Sequence, residues 1–129
     1  MNVLDENISI PQKRILTDWR IPVRHVGYGT GRKGMKDEEI IPFLLTLHRP
    51  TFLTLDWDYF KRSLCHARYC LIFLNVKRDE SATFIRRVLR HPEFNTQGKR
   101  MGNVIRVSHS GLDVWQLHAE RQEHFGWMD

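Results

Sequence analysis

Cysteine is nearly absent: Cys65 and Cys70 are the only two in 129 residues, at a spacing that fits neither a zinc nor a redox pair. A disulfide-stapled framework is excluded, and both read as buried thiols of a reducing compartment. Long apolar runs are missing as well. The longest, Cys70 to Leu74, falls far short of the roughly 18 residues that a membrane span requires. The seven histidines form no H-x-x-x-H pair and no Cys/His array, which leaves zinc chemistry without a ligand set. Internal repeats and low-complexity segments are lacking too. The opening residues carry Asp5 and Glu6 where a secretory leader would be basic and then apolar, so a cytoplasmic location is expected.

What is present suits a single domain over residues 1–129, with a core to residue 107 and an extension over 108–129. At 15.4 kDa such a chain buries roughly two-thirds of the surface its unfolded form exposes. The net charge of +5 and pI near 9.6 coexist with clustered acids, so the basic surface lies elsewhere on the molecule. That split fits an anionic polymer gripped by Lys and Arg and bound or cut at an acidic, metal-filled centre, although a merely basic surface fits the charge equally well.

The most informative stretch is Thr51 to Leu55, a short buried strand, followed at once by Asp56-Trp57-Asp58. The pattern has a second copy at the start, where Asn2-Val3-Leu4 runs into Asp5-Glu6. Between them, Ser9-x-x-Gln12 reads as a capping box opening a helix to about Trp19, and Ile21 to Val26 as a second strand. Gly29, Gly31 and Gly34 then match G-x-G-x-x-G, but after the second strand rather than the first. This loop reads as a surface loop or as a phosphate contact through Arg32 and Lys33. Asp37 is expected to cap a helix to about His48, with a distortion at Pro42.

A short helix from Asp58 to Leu64, a strand from Tyr69 to Val76 and a helix from Asp79 to Arg90 continue the alternation. Asn95 to Gly102 reads as a loop, Val104 to Val107 as a strand, and Leu112 to Leu117 as its hairpin partner. His118 to Asp129 shows no period and is expected to be a short helix or a tail docked through Phe125 and Trp127. Strands alternating with helices argue for a three-layer α/β/α fold with a central, mainly parallel sheet.

In such sheets ligands gather at the carboxyl ends of the strands. Asp5 and Asp56 occupy two such ends, Asp58 is within reach, and Asp37 opens a helix entered from the same edge. Each aspartate alone is better explained as a cap or turn residue; the joint placement of Asp5 and Asp56 favours a site. Crowded carboxylates repel one another and need a compensating cation. All-oxygen ligands point to Mg²⁺ or Mn²⁺.

The segments Leu4-Asp5-Glu6-Asn7, Asp37-Glu38-Glu39-Ile40, Leu53-Thr54-Leu55-Asp56-Trp57-Asp58-Tyr59-Phe60 and Leu71-Ile72-Phe73-Leu74, in this order, resemble the short PIN-like proteins of bacterial toxin–antitoxin systems, relatives of VapC-type toxins. The resemblance covers Met1 to about Val107; Trp57 is bulkier than the residue usual there, and the chain from Asp79 onward matches poorly. It implies a PIN-like fold and a divalent-metal-dependent endoribonuclease with Asp5, Asp37, Asp56 and Asp58 in the acidic positions. On that reading Asp5 and Asp56 ligate directly, Asp37 and Asp58 complete the coordination or position water, and Glu6 acts from behind them. Arg32, Lys33 and Lys61 hold the RNA backbone, while Arg86, Arg87 and Arg90 serve RNA or an acidic partner. A cognate antitoxin is the expected partner, and Trp115, Phe125 and Trp127 either supply a homodimer interface or belong to the core. The alternatives are a PIN-like binding module without catalysis and a phosphoacceptor receiver domain.

Overall fold

A computed structural model describes residues 1–127. The strands are β1 (Asn2–Leu4), β2 (Arg24–His25), β3 (Thr51–Thr54), β4 (Cys70–Leu74), β5 (Asn103–Ser108), β6 (Gly111–Gln116) and β7 (Glu123–Phe125). They form one seven-stranded sheet in the order β2-β1-β3-β4-β5-β6-β7. The first five run parallel, and β6 and β7 are antiparallel to their neighbours. A parallel strand is covered on both faces, which is why every residue of β3 is buried.

Successive strand residues alternate between two cores. Leu4, Leu53, Ile72 and Ile105 belong to one, with Leu16 of α1 (Ile10–Asp18) and Ile85 and Val88 of α3 (Ser81–Arg90). Val3, Phe52, Leu71 and Val104 belong to the other, with Ile40 and Leu44 of α2 (Asp37–Leu44). Ile85 and Val88 are fully buried, and each such side chain contributes about 1.5–3 kcal/mol relative to exposure.

Several local expectations change. Ser9 precedes α1, yet its side chain makes no capping bond; Gln12 is buried instead and its Oε1 accepts the Ala82 N–H at 2.8 Å, tying α1 to the start of α3. Asp37 is the first residue of α2 rather than its cap. Lys36 holds the cap position, its backbone N–H donating to Glu39 Oε1 at 3.3 Å. Pro42, lying inside α2, lacks the N–H that would continue the ladder, and the helix ends at Leu44 rather than near His48. The expected helix from Asp58 to Leu64 is two single 3₁₀ turns, Trp57–Tyr59 and Arg62–Leu64. A further 3₁₀ turn, Arg78–Glu80, precedes α3. The Asn95 to Gly102 loop contains the one-turn helix α4 (Gln97–Arg100). The tail forms an edge strand, β7, and its expected anchors Phe125 and Trp127 do pack on the core; Met128 and Asp129 lie outside the described residues.

The three residues expected at a dimer interface or in the core are partly buried. Trp115 lies against the second core with the Arg62 guanidinium 5.5 Å from its ring centre, and Trp127 donates from Nε1 to the Ser108 carbonyl at 2.9 Å. Two arginines of α3 pack on rings, Arg86 over Trp19 at 3.7 Å and Arg87 over Trp127 at 4.2 Å, while Arg90 is exposed. No helix among the described residues is long and apolar enough to cross a membrane.

Candidate metal centre

The chain leaves β1 toward β2 on one side and later extends from β3 through β4 to β5 on the other. The gap between β1 and β3 is therefore the point where the connection direction reverses, and ligands of doubly wound sheets bind outside such a point. Leu4 pairs with Leu53, and the Asp5 N–H donates to the Leu53 carbonyl at 2.8 Å. That register delivers Asp5 and the Thr54-Leu55-Asp56 segment to one edge.

Three of the four predicted aspartates come together there. Asp37, Asp56 and Asp58 each present a carboxylate oxygen within 4.8 Å of the other two. Opposite ligands of an ideal octahedral Mg²⁺ are about 4.2 Å apart, so the three oxygens lie at spacings close to those of one ion's coordination shell. Asp37 and Asp58 are exposed and Asp56 half-buried, which leaves room for solvent or substrate oxygens. Among the described residues no Lys or Arg forms an ion pair with any of them.

The geometry is set by groups that the sequence reading did not assign. Asp56 Oδ1 accepts the Asp58 N–H at 2.9 Å, fixing the turn between the two acids. Tyr59, buried with its ring edge-on to Phe52, donates from its hydroxyl to Asp37 Oδ1 at 2.9 Å and so ties the start of α2 to the turn after β3. Burial, and then the Asp37 carboxylate, push the Tyr59 phenol well above its ordinary pKa, so it remains a donor. Thr54, fully buried, donates to Asp5 Oδ2 at 2.6 Å and accepts from the Asp56 N–H at 3.0 Å and from Asn7 Nδ2 at 3.3 Å. Asn7 Oδ1 in turn accepts the Leu55 N–H at 3.2 Å. Asn7, Thr54 and Tyr59 all lie inside the acidic motifs; a polar residue at the end of a buried strand was the available signal for Thr54.

Asp5 is not one of the three clustered ligands. It is half-buried behind them, with Oδ2 held by Thr54 and Oδ1 accepting the Glu6 N–H at 2.7 Å. Desolvation raises its pKa, the Thr54 and Glu6 bonds oppose this, and the charges of Asp56 and Asp37 raise it further. That coupling makes Asp5 electrostatically part of the cluster. Glu6 faces elsewhere: both its carboxylate oxygens accept the Gly34 N–H, at 3.1 and 2.9 Å, clamping the glycine loop. Gly34 adopts a φ of +74°, a conformation that glycine takes without strain.

His25, buried beside this edge, places Nε2 3.1 Å from the Asp5 carbonyl and packs on Tyr28 with ring centres 4.6 Å apart. Burial, and then Lys13, lower its pKa. Of the expected RNA-binding cations, Arg32 pairs with Glu39, Lys33 lies 5.0 Å from the Tyr28 ring centre, and Lys61 is exposed in the turn that follows the acids. Compared with known protein families, with curated proteins and with solved structures, the chain finds no match.

Proposed function

We propose that the protein is a divalent-metal-dependent endoribonuclease with a PIN-like three-layer architecture, acting as the toxin of a toxin–antitoxin pair. The observation that carries the nuclease reading is the gathering of Asp37, Asp56 and Asp58 at the sheet's reversal point, with Asp5 coupled to them and, among the described residues, no Lys or Arg in an ion pair with the three. The toxin role and the antitoxin partner rest on the sequence resemblance alone.

Asp37, Asp56 and Asp58 would hold Mg²⁺ or Mn²⁺, which supplies a bound water of lowered pKa and neutralises charge on a phosphodiester. Tyr59 and the Asp58 N–H aim two of the ligands, and Thr54 keeps Asp5 against the same point. Asp5 holds the negative charge that draws the cation in. Lys33 and Lys61, on exposed loops of this edge, contact phosphates of the RNA backbone.

One observation favours a second reading. The parallel strand order β2-β1-β3-β4-β5 is that of flavodoxin-like folds, among which phosphoacceptor domains also place acids after β1 and β3. The engagement of Glu6 with Gly34, and the recruitment of Asp37 and Asp58 in its stead, weigh toward the nuclease. Incubating the protein with a mixed RNA pool in Mg²⁺, Mn²⁺ or EDTA separates the classes. Metal-dependent cleavage abolished by Asp56→Asn is expected. An intact pool under all three conditions sinks the proposal, and a phosphoryl adduct on Asp56 after treatment with an acyl phosphate would select the phosphoacceptor.

A further inference from the structure

The edge of the sheet where the parallel strands begin, opposite the aspartates, holds a cavity of about 250 Å³. Its walls include Asn2 at the start of β1, Pro22 and Val23 before β2, Arg24 at the start of β2, and Gln97 and Arg100 of α4. Arg100 is the unusual member. Only 5% of it is exposed, yet no carboxylate among the described residues pairs with it. Its Nε donates to Thr51 Oγ1 at 2.9 Å and its Nη1 to the Phe94 carbonyl at 2.8 Å, both neutral acceptors. A guanidinium carries five N–H donors, and those on Nη2 have no partner among the described residues. Desolvation lowers the Arg100 pKa, as it must for a buried cation without a counter-ion.

Arg24 brings a second, exposed guanidinium to the same cavity, again with no ion pair among the described residues. Both fields reach one point: burial lowers the pKa of the Met1 amino group, and Arg100 and then Arg24 lower it further. Asn2 donates from Nδ2 to the Pro22 carbonyl at 3.1 Å, an orientation that leaves its Oδ1 buried without a partner. A buried charge is costly unless a counter-ion completes it, and no acid among the described residues lines this cavity. The missing charge therefore comes from a ligand. Two guanidiniums match a dianion, and their planar forks suit phosphate oxygens. A phosphate monoester carries about −1.5 to −2 charges at pH 7, where a carboxylate carries one. The volume lies below the roughly 300–1,000 Å³ of pockets for drug-sized ligands, so the molecule is small. Pro22 and Val23 offer carbon surface, and Asn2 Oδ1 an acceptor for a hydroxyl, neither of which a bare phosphate ion uses.

We propose that this cavity binds a small phosphate monoester, its phosphate between Arg100 and Arg24 and its carbon skeleton against Pro22 and Val23. The site is separate from the aspartates and stands whether or not the protein cleaves RNA.

The test is isothermal titration and thermal melting of metal-stripped protein in a chloride buffer free of phosphate and sulfate, so that no phosphate is held through a metal at the aspartates. Glycerol 3-phosphate is expected to bind and to raise Tm, inorganic phosphate to bind more weakly, and glycerol and acetate to leave the protein unchanged. Arg24→Gln, at an exposed position, should weaken glycerol 3-phosphate binding by roughly 5- to 20-fold. Arg100→Lys keeps the charge but loses the fork, and should weaken it by roughly 10- to 150-fold. Should Arg100→Lys fail to fold, Arg24→Gln alone decides. No binding of glycerol 3-phosphate at millimolar concentration, unchanged affinity in Arg24→Gln, or acetate or inorganic phosphate binding as tightly as the ester overturns the proposal.

Discussion

The Thr54 hydroxyl donates to Asp5 Oδ2 at 2.6 Å while accepting the Asp56 N–H at 3.0 Å. A single buried side chain, 49 residues from Asp5 in the chain, thus couples the acid that follows β1 to the acid that follows β3. Neither acid could shift along its strand without breaking that link.

Thr54→Val keeps the shape and removes the hydroxyl. It leaves Asp5 Oδ2, the Asp56 N–H and Asn7 Nδ2 without their partner, and an unmet buried polar group costs about 1–3 kcal/mol. Urea denaturation is expected to show a loss in that range. Isothermal titration with Mn²⁺ should show affinity weakened by about 10- to 100-fold, because the ligands lose their support. Wild-type stability and affinity in this variant would mean that the hydroxyl positions nothing.

Asp5 has a folded-state pKa raised above its unfolded value, first by desolvation and further by Asp56 and Asp37. The folded protein therefore binds this proton more tightly than the unfolded chain does. The stability so gained is full below the unfolded pKa and is lost as pH rises through the raised folded value. In EDTA, Asp5→Asn should remove that part of the pH dependence and stabilise the protein at neutral pH by about 0.5–2 kcal/mol. Mg²⁺ should stabilise wild type more above the raised Asp5 pKa, where its carboxylate adds negative charge beside the cluster, than below it. Thermal melts on both sides of that pKa, with and without metal, check both signs. A strongly destabilised Asp5→Asn would instead identify the carboxylate as a structural acceptor for Glu6 and Thr54.

The central strands were legible in the sequence because burial on both faces demands uninterrupted apolar runs such as Cys70 to Leu74. Asp56 and Asp58 were legible because acids rarely follow such a run without cause. What escaped depends on contacts between distant segments. Ser9 and Gln12 have the spacing of a local capping box, but a buried N–H at Ala82, 70 residues away, takes the glutamine. Tyr59 reads as an ordinary apolar residue until α2 brings Asp37 to its hydroxyl. Glu123 to Phe125 alternates too briefly to signal a strand, and becomes β7 because β6 presents an open edge beside the core pocket that Phe125 fills.

The Gln12 contact leads to a paired prediction. Gln12→Met keeps the volume but leaves the Ala82 N–H buried and unpaired, at an expected cost of about 1–3 kcal/mol. Ser9→Ala should change stability by less than about 0.5 kcal/mol, since no capping bond is lost. Chemical denaturation of the two variants distinguishes the long-range contact from the local box: a costly Ser9→Ala with a neutral Gln12→Met would restore the latter.

Gly111 opens β6 at a φ of +135°, and a Cβ there would lie 2.4 Å from the Phe125 carbonyl oxygen. Both backbone strain and that collision fall on the β6–β7 pair, so Gly111→Ala should detach β7 more than it disturbs the parallel strands. Loss of about 1–3 kcal/mol is expected, with faster amide exchange at Leu112 and Val114, which face Phe125 and Glu123.

Tyr59→Phe keeps the buried ring against Phe52 and deletes only the bond to Asp37. Asp37 is exposed and recovers water, so the expected stability loss is only about 1 kcal/mol. Its effect on the centre should be larger. Without the phenol, Asp37 is free to rotate away from Asp56 and Asp58, and Mn²⁺ affinity is expected to fall by about 10- to 100-fold. The raised phenol pKa makes a further point accessible: Tyr59 stays protonated where ordinary tyrosines ionise, so an alkaline ultraviolet titration of wild type and Tyr59→Phe should differ little near pH 10. A tyrosine that titrates normally in wild type and vanishes in the variant, together with unchanged metal affinity, would show that Asp37 does not need this hydroxyl.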